Sequence, residues 1–504
     1  MKKNQNRAAL LALCLGISLS LAACQPAPEN EVVVGKNQIQ DLISNTEANG
    51  SIPDGTPSTA VPSESTFQKT YTPSENLQFI IDAKVETYDS AMPVLLVKPH
   101  EFTVEEVRPI ADYFFQGQTA YESRYVMTKE EIQKRILEIK AWMNDTNGLL
   151  ACANSPEHEQ DLRAQYEQEI QFWEERYETA VDDYQPKECD WQFHPASYFD
   201  ETLEMPGAGG ICENDKASYI KASATVNGKA LEVEAMNHTT EGYIGHHISF
   251  GLSWEDPIWN TGGTSGTEEE AKQLADQLLH DLGIQDRWNF QQCMKSEFTQ
   301  EDGTPTGGYS FYISYLPIFE GFSLSDLQDI SQGDGDHYAP FYSYESLDVT
   351  IANGEIIQFN WSSPLEVVSV ENAAVTELSF DQIMERFAAQ MEISYPFSWF
   401  QLPGKEGDPE STGPKVEEAA FKITGIKRRL SRVLVPNATM EYYLIPTWSF
   451  YGFDGVRAEG DSELTYDFII VDENGNKSTE PKPASHVLSL SALDGSVIQA
   501  GLGY

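Results

Sequence analysis

Three histidines stand close together at His238, His246 and His247. On a strand, adjacent His246 and His247 face opposite sides, so only one of them can meet His238 across a hairpin. Two nitrogens do not complete a zinc site, which takes about four ligands. Ser218-Tyr-Ile-Lys221 has the Ser-x-x-Lys spacing of penicillin-recognising enzymes, where a helix puts both residues on one face. Here the pair falls on an expected strand, and residues three apart then point oppositely. Asp334-Gly-Asp336-His starts like a calcium loop but lacks the later ligands, and Asp472-Glu-Asn474-Gly-Asn476 has Lys477 where the loop glycine belongs. Both read as loops. Gly262-Gly-Thr-Ser-Gly266 precedes a helix start and could hold an anion, but Glu268, Glu269 and Glu270 follow and repel one, so a helix cap is the better reading. No Gly-x-Ser-x-Gly, His-Glu-x-x-His or phosphate-binding Gly-Lys-Ser/Thr is present. With 79 acidic side chains, a carboxylate pair for glycoside hydrolysis is available everywhere and signalled nowhere. These residues therefore assign no catalytic group, no metal and no cofactor, and the expectation is a protein that is not an enzyme.

The start of the chain is more specific. Met-Lys-Lys-Asn-Gln-Asn-Arg is followed by an apolar run from Ala8 to Ala23, too short for a comfortable span of about 20 residues. The run closes with Leu21-Ala22-Ala23-Cys24, which closely resembles the lipobox of bacterial lipoproteins. The resemblance implies a signal peptide over 1–23, a diacylglycerol on Cys24 and a mature chain fixed by that lipid to the extracytoplasmic face of the cell membrane. Two acyl chains anchor stably, at about 0.8 kcal/mol per buried methylene. From Cys24 to residue 75 the sequence is polar and rich in proline (Pro26, Pro28, Pro53, Pro57, Pro62, Pro73), and it reads as a disordered tether reaching on the order of 40 Å. The full chain carries 33 basic and 79 acidic side chains. That balance opposes nucleic acid and anionic polymers as partners. Cys152, Cys189, Cys212 and Cys293 permit two disulfides or free thiols, with no Cys-x-x-Cys among them.

The elements behind these residues read as α+β. Leu77, Phe79, Ile81, Ala83 and Val85 alternate as a half-buried strand does, and Pro93-Val-Leu-Leu-Val forms a second strand. Thr103-Val-Glu-Glu106 and Thr128-Lys-Glu-Glu131 have capping-box spacing. Ser155-Pro156 opens a further helix with Leu162, Tyr166, Ile170, Trp173, Tyr177 and Val181 on one face, closing before Pro186. The last two helices form a long helical hairpin expected to pack on the first sheet. Asn227-Gly228 marks a β-hairpin.

The C-terminal half contains a repeat. Ile313-Ser-Tyr-Leu-Pro317-Ile-Phe-Glu-Gly321-Phe matches Leu444-Ile-Pro446-Thr-Trp-Ser-Phe-Tyr-Gly452-Phe in outline, Thr267 answers Ser379 as a helix start, and Asn353-Gly354 answers Asp494-Gly495. Each unit reads as a helix, strands, an aromatic-proline strand and a closing hairpin. The expected domains are thus 76–260 (α+β with the helical hairpin), 261–370 and 371–504, the last two being tandem helix-plus-antiparallel-sheet modules. In the stretch from Tyr442 to Phe453, alternation puts Trp448 and Phe450 on one buried face, and Pro446 suggests an edge or a bulge.

A helix on a small antiparallel sheet, ending in Pro-Thr-Trp and then Leu490-Ser-Ala-Leu-Asp-Gly-Ser-Val-Ile, resembles the PepSY-type module. Such modules occur in exported regulators and protease propeptides, and related sheets occur in Gram-positive proteins that restrain sensor kinases. Through Phe79-Ile-Ile-Asp-Ala-Lys-Val, Val97-Lys-Pro-His-Glu-Phe-Thr-Val-Glu-Glu-Val and Ile445-Pro-Thr-Trp-Ser-Phe-Tyr-Gly the mature chain also resembles uncharacterised lipoproteins of anaerobic Firmicutes. The resemblance implies location and fold class, and no residue's role. The functional expectation is a non-enzymatic binding or regulatory protein of the cell envelope, with a protein, peptide or glycan partner. A surface glycoside or peptide hydrolase using an acidic pair between modules is the alternative. Solute binding by a two-lobed α/β fold is disfavoured, because no recurrent strand-helix-strand units of a parallel sheet are visible.

Overall fold

The computed structural model describes residues 42–43, 63–144, 155–200, 217–240, 243–253, 256–299, 304–325, 342–402, 413–471, 477–482 and 484–498. The chain runs through strands β1 (Ser63–Ser74), β2 (Leu77–Thr87) and β3 (Val94–Pro99), then helix α1 (Val104–Phe115) and the short β4 (Tyr121–Glu122). Helices α2 (Lys129–Asn144) and α3 (Pro156–Tyr177) follow, then β5 (His194–Pro195), α4 (Ala196–Phe199), β6 (Ser218–Val226), β7 (Lys229–Thr240) and β8 (Tyr243–Leu252). Next come α5 (Ile258–Thr261), α6 (Glu268–Asp281), β9 (Trp288–Thr299), β10 (Pro305–Phe319), β11 (Phe322–Ser323), β12 (Ser346–Ala352), β13 (Glu355–Ser362) and β14 (Leu365–Asn372). Helix α7 (Phe380–Ser394) leads into β15 (Val416–Leu434), β16 (Tyr442–Ala458), β17 (Phe468–Val471), β18 (Lys477–Glu480) and β19 (Ser485–Ser491).

The fold is α+β, built on antiparallel sheets with packed helices. A seven-stranded sheet has the order β1-β2-β15-β16-β3-β14, with β19 also on β16. A ten-stranded sheet runs β11-β10-β12-β13-β8-β7-β6-β4, with β9 on β10 and β5 on β6. Every named strand pair is antiparallel except β15 with β2. The sheets do not respect the boundaries expected at 260 and 370. Strands β2 and β3 join the C-terminal strands, whereas β6 to β8 join the middle of the chain. Among the described residues a helix-plus-sheet unit also precedes the two expected ones. Helix α1 lies on β6, β7 and β8, α6 lies on β9 and β10, and α7 lies against β19. The first two units are fused into one sheet where β8 pairs with β13.

Local sequence explains the helix starts and turns. Thr103 with Glu106, Thr267 with Glu270 and Ser379 with Gln382 all form the reciprocal capping box. Asn227-Gly228 and Asn353-Gly354 each place both residues at positive φ, the geometry a two-residue hairpin with right-twisted strands requires.

Strand β16 is central, not an edge. Pro446 is accommodated because its carbonyl accepts from Ala492 N at 2.9 Å. Its nitrogen therefore faces the same side, in the gap where β3 pairing has ended at Leu444 and β19 pairing begins at Thr447. Pro317 in the related strand likewise accepts from Leu324 N at 2.9 Å. The paired glycines diverge: Gly321 turns at φ +86° between β10 and β11. Gly452 lies within β16 so close to β15 that a Cβ would sit 2.1 Å from the Lys422 carbonyl oxygen.

Helices α2 and α3 bury Ile132, Ile139 and Trp173 against each other, in a cluster that includes no sheet residue. They run antiparallel, with Lys129 N on Val181 O at one end and Arg163 on Met143 O at the other. The expected packing on a sheet is thus replaced by a self-contained pair, and α3 stops at Tyr177, short of Pro186. The expected tether over 24–75 is also shortened: β1 pairs with β2 from Ser63 onward, and Ile43 is buried among Val94, Val433 and Ile445.

Candidate functional site

One face of the ten-stranded sheet is apolar. Ile220, Ala222, Val233, Ala235, Ile248, Phe250, Phe359 and Trp361 pack there beneath α1 and α6. Because side chains alternate along a strand, the intervening residues must gather on the other face. Register does the rest. Lys221, Glu234, Ser249 and Asn360 are successive cross-strand partners over β6, β7, β8 and β13. The next row is Ser223, Glu232, Gly251 and Gln358. A polar platform four strands wide results, assembled from positions spread over more than a hundred residues of sequence.

A hollow of about 290 Å³ lies on this platform, lined by Ser123, Lys221, Glu232, Glu234, His247, Ser249, Gly251, Trp259 and Gln358, with Val233 and Leu252 adding apolar surface. Its depth follows from Gly251, which places no side chain between Glu232 and Gln358. A Cβ there would meet the Ile357 carbonyl oxygen at 3.0 Å. Trp259 walls one side. Asp256 caps its short helix, and the indole N–H donates to Leu252 O (3.2 Å) and Ser253 O (3.0 Å), so the ring is fixed beside the strand end.

The charges on the floor are tied together. Glu234 lies 3.1 Å from His247 Nε2 and 2.7 Å from Lys221 Nζ. These hydrogen bonds, that of His247 foremost, hold its carboxyl at about 2, below the ordinary 4.5, against the opposing effect of burial. The Lys221 ammonium also lies over the Tyr219 ring, 4.7 Å from its centroid.

A second cluster sits where the two sheets join. Glu345, completely buried, accepts from Trp361 Nε1 (3.1 Å) and Leu365 N (3.1 Å) and faces Arg287 at 3.3 Å. Burial dominates and pushes its carboxyl up to about 7. Nearby, His100 bridges Glu106 (3.0 Å) and Glu366 (3.3 Å), and the Glu106 contact raises its pKa. The buried Asn237 side chain binds both N and O of Phe102 at 2.8 Å. These groups fasten the crossing from β3 to α1 to the neighbouring strands.

A third cluster lies at the β4 edge, where Glu122, Asp190 and His194 offer ligand atoms within 4.8 Å of one another. Lys187 Nζ already stands among them, 2.9 Å from Glu122, 3.3 Å from Asp190 and 2.7 Å from Tyr198 Oη. The cluster is thereby self-compensated and ties the segment from Lys187 to Tyr198 to β4.

The sequence candidates fall as follows. His246 is buried on the apolar side, where burial lowers its pKa to about 4, and His247 is on the polar platform. His238 shares the side of His247 by alternation, since its strand neighbour Met236 pairs with His247. The three do not converge. Lys221 does enter the site, but with Glu234 as partner rather than Ser218. Gly262 to Gly266 pack against Tyr309 and Asn353 ahead of the Thr267 cap. Cys189 and Cys293 are free thiols. Cys24, Cys152, Cys212, Asp334, Asp336 and Asn474 lie outside the described residues. The platform was missed because no short motif encodes it; the alternation of Lys221, Ser223, Glu232 and Glu234 about Asn227-Gly228 was its only local trace.

No protein-family model matches the chain, and no curated protein matches it. An uncharacterized protein from Eubacterium rectale ATCC 33656 is similar in its solved structure at a TM-score of 0.35 and 9% identity, over 86% of this chain and 93% of that one. Likeness at that level carries no argument about activity.

Proposed function

We propose that the chain is a lipid-anchored extracytoplasmic protein that binds a polar envelope ligand on the open platform of its ten-stranded sheet, without chemical turnover. The observation that carries this reading is the in-register polar hollow around Lys221, Glu234 and Gln358, opposite a face fully used for packing. Binding sites are concave and combine a few placed polar groups with aromatic surface. The Cys24 anchor would hold the platform near the envelope, and the PepSY-like closing unit is in keeping with a regulatory or binding role.

The hydrolase alternative is less well supported by this geometry. Glycoside hydrolysis needs one carboxyl kept protonated as the acid beside an ionised partner. In the hollow, Glu234 is held strongly ionised. The carboxyls pushed upward by burial, Glu345 and Asp348, do not line it.

Two measurements test the reading. Cys24→Ala should abolish fatty-acid incorporation, and retained label would remove the anchor. A photo-crosslinking residue at Asn360, which sits on the platform beside the hollow without lining it, should capture envelope material in living cells, while the same residue at exposed Glu269 on α6 should not. Equal capture at both positions would count against the platform.

A further inference from the structure

The hollow also specifies the chemistry of what it holds, granted the binding reading above. We infer that its ligand is a neutral saccharide unit of an envelope glycan.

Charge is the first reason. The Glu234 carboxylate is already paired with Lys221 and His247, so an ionic ligand entering here must break existing contacts to make its own. A bound anion would additionally stand beside the exposed Glu232 in a chain of net charge −46. A cationic ligand would face Lys221. The net charge and Glu232 attract a cation, but to reach the floor it must displace Lys221 from Glu234, whereas an uncharged ligand disturbs nothing.

Hydrogen-bonding capacity is the second. The groups left to serve a ligand are of mixed kind: the remaining ammonium protons of Lys221, the amide of Gln358, the hydroxyls of Ser123 and Ser249, and the carboxylate of Glu232. Each sugar hydroxyl is both donor and acceptor, and a lining that alternates the two roles suits it better than one built for a single charged head.

The third reason is Trp259. Its N–H is committed to the Leu252 and Ser253 carbonyls and its ring packs against Leu252, Ala352 and Ile357, so the indole stands as a rigid aromatic wall of the hollow. A pyranose carries an apolar C–H face that lies on such a surface while its rim of hydroxyls reaches polar neighbours. The volume of about 290 Å³ falls just under the roughly 300–1,000 Å³ of small-molecule sites, which suits a single small unit rather than a large ligand. The hollow is open along the sheet, so a unit within a longer chain fits as well as an end.

The test uses the full-length chain in calorimetric titrations with a neutral N-acetylglucosamine tetramer, a maltotetraose, a lysine-rich peptide and a glutamate-rich peptide. The expected result is saturable binding of a neutral oligosaccharide, weakened at least tenfold by Trp259→Ala and by Gln358→Ala and little changed by Lys140→Ala on the distant helix pair. Trp259→Phe, which keeps the aromatic surface, should retain most of the affinity, and thermal unfolding confirms that each variant is folded. Peptide binding lost on Trp259→Ala, with no saccharide binding, overturns the ligand class and leaves the platform standing. Saccharide binding indifferent to both pocket variants overturns the site. No binding by any probe, together with no capture from Asn360 in cells, overturns both readings.

Discussion

Lys221 Nζ lies 2.7 Å from Glu234 Oε2, between residues that are direct partners in the pairing of β6 with β7. The pair therefore fixes the floor of the hollow and the strand register together. His247 completes the grip at 3.1 Å. The folded state holds Glu234 ionised down to about 2, below its ordinary 4.5. A lowered carboxyl contributes stability that is present above the unfolded value and lost as pH falls through the folded one. Wild-type protein should thus lose a stability increment between about pH 4.5 and pH 2 that Glu234→Gln lacks. Its size at neutral pH is expected below about 1 kcal/mol, since the Glu234 side chain is more than a third open to water. Urea unfolding of both proteins across that range checks this, and a constant gap between them would contradict it.

Glu345 predicts the opposite slope. Its carboxyl is raised to about 7 by complete burial, so the folded state prefers it protonated. Stability from this group is greatest below its ordinary 4.5 and declines as pH rises to about 7, by up to about 3 kcal/mol in all. Glu345→Gln should be less stable in absolute terms, because an amide NH₂ must face one of the two donors Trp361 Nε1 and Leu365 N. Its unfolding free energy should nevertheless be flatter than wild type between pH 5 and pH 7. The same slope in both proteins would place the dependence elsewhere.

Asn237 is a more local test of the junction. It satisfies both backbone groups of buried Phe102 with a single amide. Asn237→Ala leaves a donor and an acceptor without partners, each costing about 1–3 kcal/mol. We expect a loss of about 2–4 kcal/mol in chemical unfolding, with far-ultraviolet dichroism unchanged. A loss below about 0.5 kcal/mol would mean that water reaches Phe102.

What the sequence makes legible here is local. The capping boxes at Thr103, Thr267 and Ser379, the Asn-Gly turns and the alternation through Trp448 and Phe450 are all decided by neighbours a few residues apart. What is not legible is non-local. Nothing in Leu77–Thr87 announces a parallel partner in Val416–Leu434, and a linear division of the chain fails for that reason. Nothing local marks Arg428, Arg429 and Arg432 for the interior, yet all three are buried. Each finds its own partner: Arg428 takes Glu377, Arg429 takes Glu86, and Arg432 takes the carbonyls of Tyr342 and Ser343 with Tyr344 and Tyr442 about its guanidinium. The candidate site belongs to the non-local class, since Lys221 and Gln358 share a hollow only through the pairing of four strands.

The aromatic strand itself gives the sharpest stability prediction. Phe450 of β16 stacks on Phe387 of α7 with ring centroids 4.2 Å apart and 29° between planes, and both are fully buried. Trp448, on the same side of the strand, packs on Phe380 of that helix at 5.0 Å. This face is thus consumed by holding α7, which is why the ligand reading lies on the other sheet rather than on these aromatics. Phe450→Ala removes a ring from a site walled by α7 and flanked by Ile426 and Leu488, where collapse is limited. The cost should be about 3–5 kcal/mol, and Phe450→Leu, which refills most of the volume, should cost well under half of that. Saccharide binding at the platform should survive both substitutions in whatever fraction remains folded. Denaturant unfolding with a parallel titration measures the two effects, and lost binding in fully folded Phe450→Leu would show that the aromatic strand serves the ligand after all.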